Sequence, residues 1–196
     1  MNVVILILAA GASSRMRGGD KLLELVDGTP QLVRITRFAG ETGAKVLVLV
    51  ALPPDRPARS AAIAGLAEAL PVPDAATGMA ASIRAGVAKA SDAEGLMILP
   101  ADMPELTTAD LAAVLAAFAR TPDQICRGAS ASGTAGHPVI FPARDFPALA
   151  ALQGDTGARS VLQAEAARIS LIALPDQHAL TDLDTPEDWA IWRGKA

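Results

Sequence analysis

The chain has 196 residues, 51% of them hydrophobic and only 3% aromatic, with a formal net charge of −4. That length sits within single-domain range, and the apolar content is enough for a sizeable core. Few aromatics and a net negative charge exclude a base-stacking platform and a broad phosphate-backbone footprint, so nucleic acid is not an expected partner. The one cysteine, Cys126, permits no intramolecular disulfide and fits a reducing compartment.

Val3 to Leu8 is a continuous apolar run. It has no basic segment before it and is far shorter than the roughly 20 residues a membrane span needs, so it reads as a first, buried strand of a cytoplasmic protein rather than a signal or an anchor. The run ends in Ala9-Ala10-Gly11-Ala12-Ser13-Ser14-Arg15-Met16-Arg17-Gly18-Gly19-Asp20-Lys21. Small residues let a ligand approach the backbone closely. Successive amides can line an anion-binding concavity, to which Arg15 and Lys21 add charge. A phosphate chain is the guest this chemistry suits. The loop is neither a P-loop nor a dinucleotide fingerprint, because the chain contains neither glycine pattern.

Pro30 to Thr42 has helical apolar spacing, with Gly43 as a stop. Lys45 to Val50 reads as a second buried strand, and Pro53-Pro54-Asp55 as loop. The alanine-rich Ala58 to Leu70 predicts one helix, with Val72 in a short strand. Gly78 precedes a helix to about Ala90, which Ser82 can cap. Gly95 to Leu99 is a third buried strand. Asp102 lies just past its end, where open α/β sheets gather ligands and where an acid either holds a hard cation or forms a turn. Thr107 or Thr108 caps a helix to Arg120. Residues 124–127 and 138–141 read as strands separated by a mobile glycine-rich loop, 128–136. A short helix over 145–152, a helix over 160–166 and a strand over 169–174 follow. Near the end, Thr185-Pro186-Glu187-Asp188 is a helix start. Asp182 and Asp184 precede it at alternate positions, on one side of an extended segment.

This alternation predicts a single domain, 1–196: a three-layer α/β/α sandwich, Rossmann-like, around a mostly parallel sheet.

The run Leu8-Ala9-Ala10-Gly11-x-Ser13-x-Arg15-Met16-x4-Lys21 resembles the signature of the MobA-like nucleotidyltransferases. These include enzymes that attach GMP or CMP to molybdopterin-type cofactors. Arg17 stands where that family usually has glycine. Further resemblance lies in Gly78-Met79-x-x-Ser82, Asp102-Met103-Pro104, Gly136-His137-Pro138-Val139, Gly154-Asp155-x-Gly157-Ala158-Arg159 and Asp182-Leu183-Asp184-Thr185-Pro186-Glu187-Asp188.

The resemblance implies the nucleotide-diphospho-sugar transferase type of fold. It places Leu8, Ala9, Ala10, Gly11, Arg15, Lys21, Gly78, Ser82 and Asp102 on the nucleotide, with Arg15, Lys21 and Asp102 as catalytic residues. His137, Asp155 and Arg159 fall on the acceptor. Mg2+ falls on Asp102 and Asp184, with Asp182 in reserve. The Ala9-Ala10-Gly11 form is similar to the cytidylyl-transferring branch, which implies CTP, a molybdopterin acceptor, release of pyrophosphate and transient contact with a molybdoenzyme or its chaperone. The alternatives are a sugar- or polyol-phosphate nucleotidyltransferase and a non-catalytic nucleotide- or pterin-binding delivery protein.

Overall fold

The computed structural model describes residues 2–43 and 46–194. Its strands are β1 (Val3–Leu8), β2 (Leu25–Val26), β3 (Thr29–Pro30), β4 (Val46–Leu52), β5 (Glu68–Pro71), β6 (Gly95–Pro100), β7 (Ile125–Ala129), β8 (Ala135–Pro142) and β9 (Ile169–Ala173). The helices are α1 (Gln31–Gly40), α2 (Pro57–Ala62), α3 (Met79–Lys89), α4 (Thr108–Arg120), α5 (Phe146–Ala150), α6 (Arg159–Ala164) and α7 (Pro186–Arg193). Seven strands form one sheet in the order β5-β4-β1-β6-β8-β7-β9, and β2 with β3 makes a separate small ribbon. Only β8 runs against the rest of the main sheet, pairing antiparallel with both β6 and β7.

β1 lies at the centre of the parallel half. Ile7 faces Val50 of β4 on one side and Leu99 of β6 on the other. Its residues alternate between two cores, as the pleat requires. Val3, Ile5 and Ile7 pack with Leu32 and Ile35 of α1 and with Val114 and Phe118 of α4. Val4 and Leu6 pack with Ile83 and Val87 of α3, Leu149 of α5 and Val161 of α6. With both faces covered, the strands read as unbroken apolar runs. A third, smaller core joins Met16, Val26 and Leu183 to Trp189 of α7. Among the described residues no helix is long and apolar enough to cross a membrane.

Three sequence expectations are corrected. The alanine-rich segment is not one helix: α2 ends at Ala62, Gly65 turns the chain at φ +78°, and β5 pairs in parallel with β4 at the sheet edge. An alanine run has good helix propensity, but the sheet edge offers hydrogen bonds and a buried place for Leu70. Residues 128–136 are not a mobile loop: Gly128 and Ala129 belong to β7, Ala135 and Gly136 to β8, and only a tight turn closed by Ser130 N–H on the Thr134 carbonyl separates them. Ser82 does not cap α3, which begins at Met79 behind Gly78. Lys45 lies outside the described residues, while the rest of the second strand is β4.

Candidate active site

The connection through α1 carries the chain from β1 to β4 on one side, and a later connection places β6 on the other. Such a reversal opens a crevice at the carboxyl ends of the strands. A cleft of about 670 Å3 lies there. It is lined by Leu8 and the loop Ala10–Arg15, by Lys21, by Pro53, Asp55 and Arg56 after β4, by Gly78, Met79 and Ser82 at the start of α3, and by Asp102, Asp155 and Asp184.

The loop after β1 is tightly wound. Ser13 and Arg17 both sit in the left-handed region, at φ 52° and 51°, on either side of a single 3-10 turn, Ser14–Met16. Two non-glycine residues in that conformation in one loop mark a local shape held by its surroundings. Arg17, which replaces the family's glycine, pairs with Glu187 of α7 at 2.7 Å across the surface. It lies outside the lining of the cleft.

The charged groups converge at one end. The Lys21 ammonium donates to Asp102 Oδ2 and, at 2.6 Å, to Asp184 Oδ1. Arg15 donates to the other oxygen of Asp184. Residues from three places in the chain thus meet on one cation, and the two carboxylates share a single hydrogen-bonding centre. Burial works against charge on Lys21, but Asp102 and Asp184 outweigh it and raise its pKa. Burial likewise opposes ionisation of Asp184, and Lys21 and Arg15 override it and lower its pKa. Both therefore stay ionised at neutral pH.

Asp184 is held in place from both sides in sequence. The Leu183 N–H donates to the Asp102 carbonyl at 3.1 Å, and Thr185 with Asp188 forms the capping box that starts α7. Asp182, two residues away, lines a separate cleft with Trp192, His178 and Glu105. Leu183 is buried in the third core while Asp182 and Asp184 on either side of it are not, as their alternate spacing leads one to expect, and Asp182 lies within the electrostatic reach of Asp102, Asp184 and Lys21. Burial, and then the charge of Asp102, push the Asp182 carboxyl up.

The other expected residues are placed as follows. Gly78 sits at φ +118°, and a Cβ there would lie 2.5 Å from the Gly154 carbonyl carbon. This tight approach brings the Gly154–Arg159 segment against the start of α3, where Asp155 accepts from the Met79 N–H at 3.1 Å. Asp155 therefore lines the cleft as a cap of α3. Arg159 is exposed at the first residue of α6 and does not line the cleft. His137 also lies outside it, within the electrostatic reach of Asp102 and Arg127. Its Nδ1 is buried without a partner, and burial lowers its pKa to about 4. Leu8, Ala10, Gly11 and Ser82 all line the cleft, whereas Ala9 is buried beneath it.

Sequence reasoning missed the largest polar feature, Arg59 of α2, whose side chain is 0% exposed. It holds Asp20 through Nε and Nη2, each at 2.8 Å. Its remaining N–H groups reach the Ala9 carbonyl at 2.6 Å, the Gly11 carbonyl at 2.7 Å and Ser13 Oγ at 2.9 Å. Arg56 adds a bond to the Ala12 carbonyl at 2.7 Å. The one available signal was two arginines three apart, Arg56 and Arg59, inside an otherwise alanine-rich stretch.

A mostly parallel sheet with a glycine-lined loop, two cations and two acids at its topological switch point defines a nucleotidyltransferase class of α/β protein. Residues 5–169 match the model of the MobA-like NTP transferase domain, and the chain belongs to that family. The chain is 31% identical over 194 residues to a "Probable molybdenum cofactor guanylyltransferase" of Synechococcus elongatus, covering 96% of this chain and 97% of the relative. It is 33% identical over 123 residues to "Purine catabolism protein PucB" of Bacillus subtilis, a match that spans 61% of this chain and 58% of the relative. Among solved structures, Rv0371c of Mycobacterium tuberculosis superposes with a TM-score of 0.84 at 26% identity, covering 100% of both chains. A CMP:2-keto-3-deoxy-manno-octonic acid synthetase in complex with CTP has a TM-score of 0.77 over 100% of this chain and 98% of its own, but at 16% identity it shows the fold alone. The chain is a nucleotidyltransferase of this family.

Proposed function

We propose that the protein transfers a nucleoside monophosphate from a nucleoside triphosphate to a phosphorylated acceptor of the molybdopterin type, releasing pyrophosphate. The observation that carries this reading is the convergence of Arg15, Lys21, Asp102 and Asp184 at one end of the cleft. The triphosphate lies along the Ala10–Arg15 loop, whose amides face it. Arg15 and Lys21 move from their carboxylates to the phosphates as negative charge arrives.

Two carboxylates on one hydrogen-bonding centre fit a hard divalent cation, and Mg2+ prefers one or two carboxylates with phosphate oxygens making up the rest. Among the described residues no cluster of three or more His, Cys, Asp or Glu side chains converges as a metal site. Asp102 and Asp184 would hold such a cation together with the phosphate oxygens of the substrate. Such a cation, when bound, neutralises charge on the phosphate oxygens.

An acceptor phosphate oxygen attacks the α-phosphorus, the bond to the bridging oxygen breaks, and pyrophosphate leaves. A phosphomonoester is already ionised at neutral pH, so the step asks the protein for positioning and charge rather than for a strong base. His137, held neutral, is not needed as one.

The donor favoured is CTP. Ala10 is among the residues that line the cleft, and the Ala9-Ala10-Gly11 form, similar to the cytidylyl-transferring branch, supports that donor. The name of the Synechococcus relative supports GTP instead. Pyrophosphate release measured with CTP, GTP, ATP and UTP, each offered molybdopterin cofactor or sugar phosphates, tests both. Turnover with CTP and molybdopterin is the expected result; turnover only with GTP transfers the reading to guanylyl transfer, and turnover only with a sugar phosphate overturns the acceptor.

A further inference from the structure

We infer that Arg59 is a positioning residue: its buried guanidinium holds the Ala9 and Gly11 carbonyls of the phosphate loop inward, so that the N–H groups of the peptides they belong to are turned to the cleft. The inference deepens the nucleotidyltransferase reading and rests on it for its effect on nucleotide.

In a trans peptide the C=O and the following N–H point in opposite directions. The only cis peptide among the described residues is His137–Pro138. Arg59 draws in the carbonyls of Ala9 and Gly11, and Arg56 that of Ala12. The N–H groups of Ala10, Ala12 and Ser13 are thereby turned the other way. None of the N–H groups from Ala10 to Arg15 donates to a protein acceptor among the described residues. Carbonyl oxygens facing a triphosphate would repel it, whereas a row of amides attracts it.

The clasp uses the whole fork. A guanidinium has five N–H donors in a fixed plane, and all five of Arg59 are engaged. Lysine has three donors and no fork, so it cannot reproduce the arrangement. Asp20 supplies the opposite charge that lets an ion stay buried, and its oxygen also accepts from the Leu22 N–H at 3.1 Å, next to Lys21. Burial opposes ionisation of Asp20, but Arg59 lowers its pKa and keeps it charged. The same pair therefore sets both the loop's amides and the root of Lys21. Arg59 itself does not line the cleft, so its action on substrate passes through the backbone.

The test uses Arg59→Met/Asp20→Asn, which removes both charges together, and Arg59→Lys, which keeps one. Two readouts are taken on protein shown to melt cooperatively. The first needs no nucleotide: the rate of native-state tryptic cleavage after Arg15 or Arg17. The second is the affinity for the triphosphate that the wild type uses, with kcat and KM. Accelerated cleavage, nucleotide affinity weakened about tenfold and kcat reduced by about 10²-fold are expected, since a small misplacement of a reacting group has that scale. Arg59→Lys should fall between the double variant and the wild type. If the double variant does not fold, Arg59→Lys carries the same comparison. Wild-type cleavage and affinity overturn the inference, as does loosened cleavage with unchanged affinity. Lost affinity with an unaltered cleavage rate also overturns it, because the guanidinium would then act by charge and not by holding the loop. A wild type that binds no nucleoside triphosphate refutes the functional reading instead, and the cleavage arm still judges the clasp.

Discussion

His137 makes stability depend on pH in a way that can be worked from its surroundings. Burial is the main cause, and Arg127 adds to it, while Asp102 opposes both; the net result lowers its pKa from 6.5 to about 4. The folded chain therefore holds this imidazole neutral down to about pH 4, while the unfolded chain protonates it below about 6.5. Between those values the unfolded state binds more protons, so stability rises with pH and is lost as pH falls. At roughly 1.36 kcal/mol per unit, the linkage removes about 2 kcal/mol between pH 7 and pH 5. Urea denaturation of the metal-free protein and of His137→Gln at the two pH values isolates the effect. The wild type should lose about 2 kcal/mol more than the variant over that interval. His178, the other histidine, is present in both proteins and cancels. Equal pH slopes would refute the claim that this ring is held neutral by burial.

Asp102→Ala should lower pyrophosphate release by at least about 10²-fold while the thermal transition stays cooperative; undiminished turnover removes Asp102 from the chemistry. Lys21→Ala leaves Asp102 and Asp184 without their shared partner. The metal-free protein should lose about 1–3 kcal/mol, and nucleotide affinity should fall, measured by denaturation and titration calorimetry. Gly78→Ala would place a Cβ 2.5 Å from the Gly154 carbonyl carbon at φ +118°. The 154–159 segment must then move off α3. Overpacking of this kind costs about 1–3 kcal/mol, and calorimetry showing no loss would contradict the close approach.

What was legible in the sequence follows from the physics of each element. β1, β4 and β6 are buried on both faces, so each shows as an unbroken apolar run, and Asp102 is found by counting past the end of one of them. Thr185 and Pro186 announce the start of α7 because capping is local chemistry. β5 was hidden because its strand identity comes from β4 beside it, while its own residues lie in an alanine-rich segment. Arg59 was invisible for the same reason: its partners stand 39 to 50 positions earlier, and a charge in a polar-looking helix start reads as solvated until the fold closes around it.

β8, the one reversed strand, has a consequence for how the domain can vary. A Cβ at Gly136 would lie 2.0 Å from the Ala179 carbonyl oxygen, and that same oxygen accepts from the His137 N–H at 2.9 Å. The tail of the domain is thus indexed to the sheet main chain against main chain. The exposed side chains of Pro175 and Gln177 can be exchanged without shifting that index, so the outer surface there is free to diversify while Asp184 keeps its place opposite Lys21.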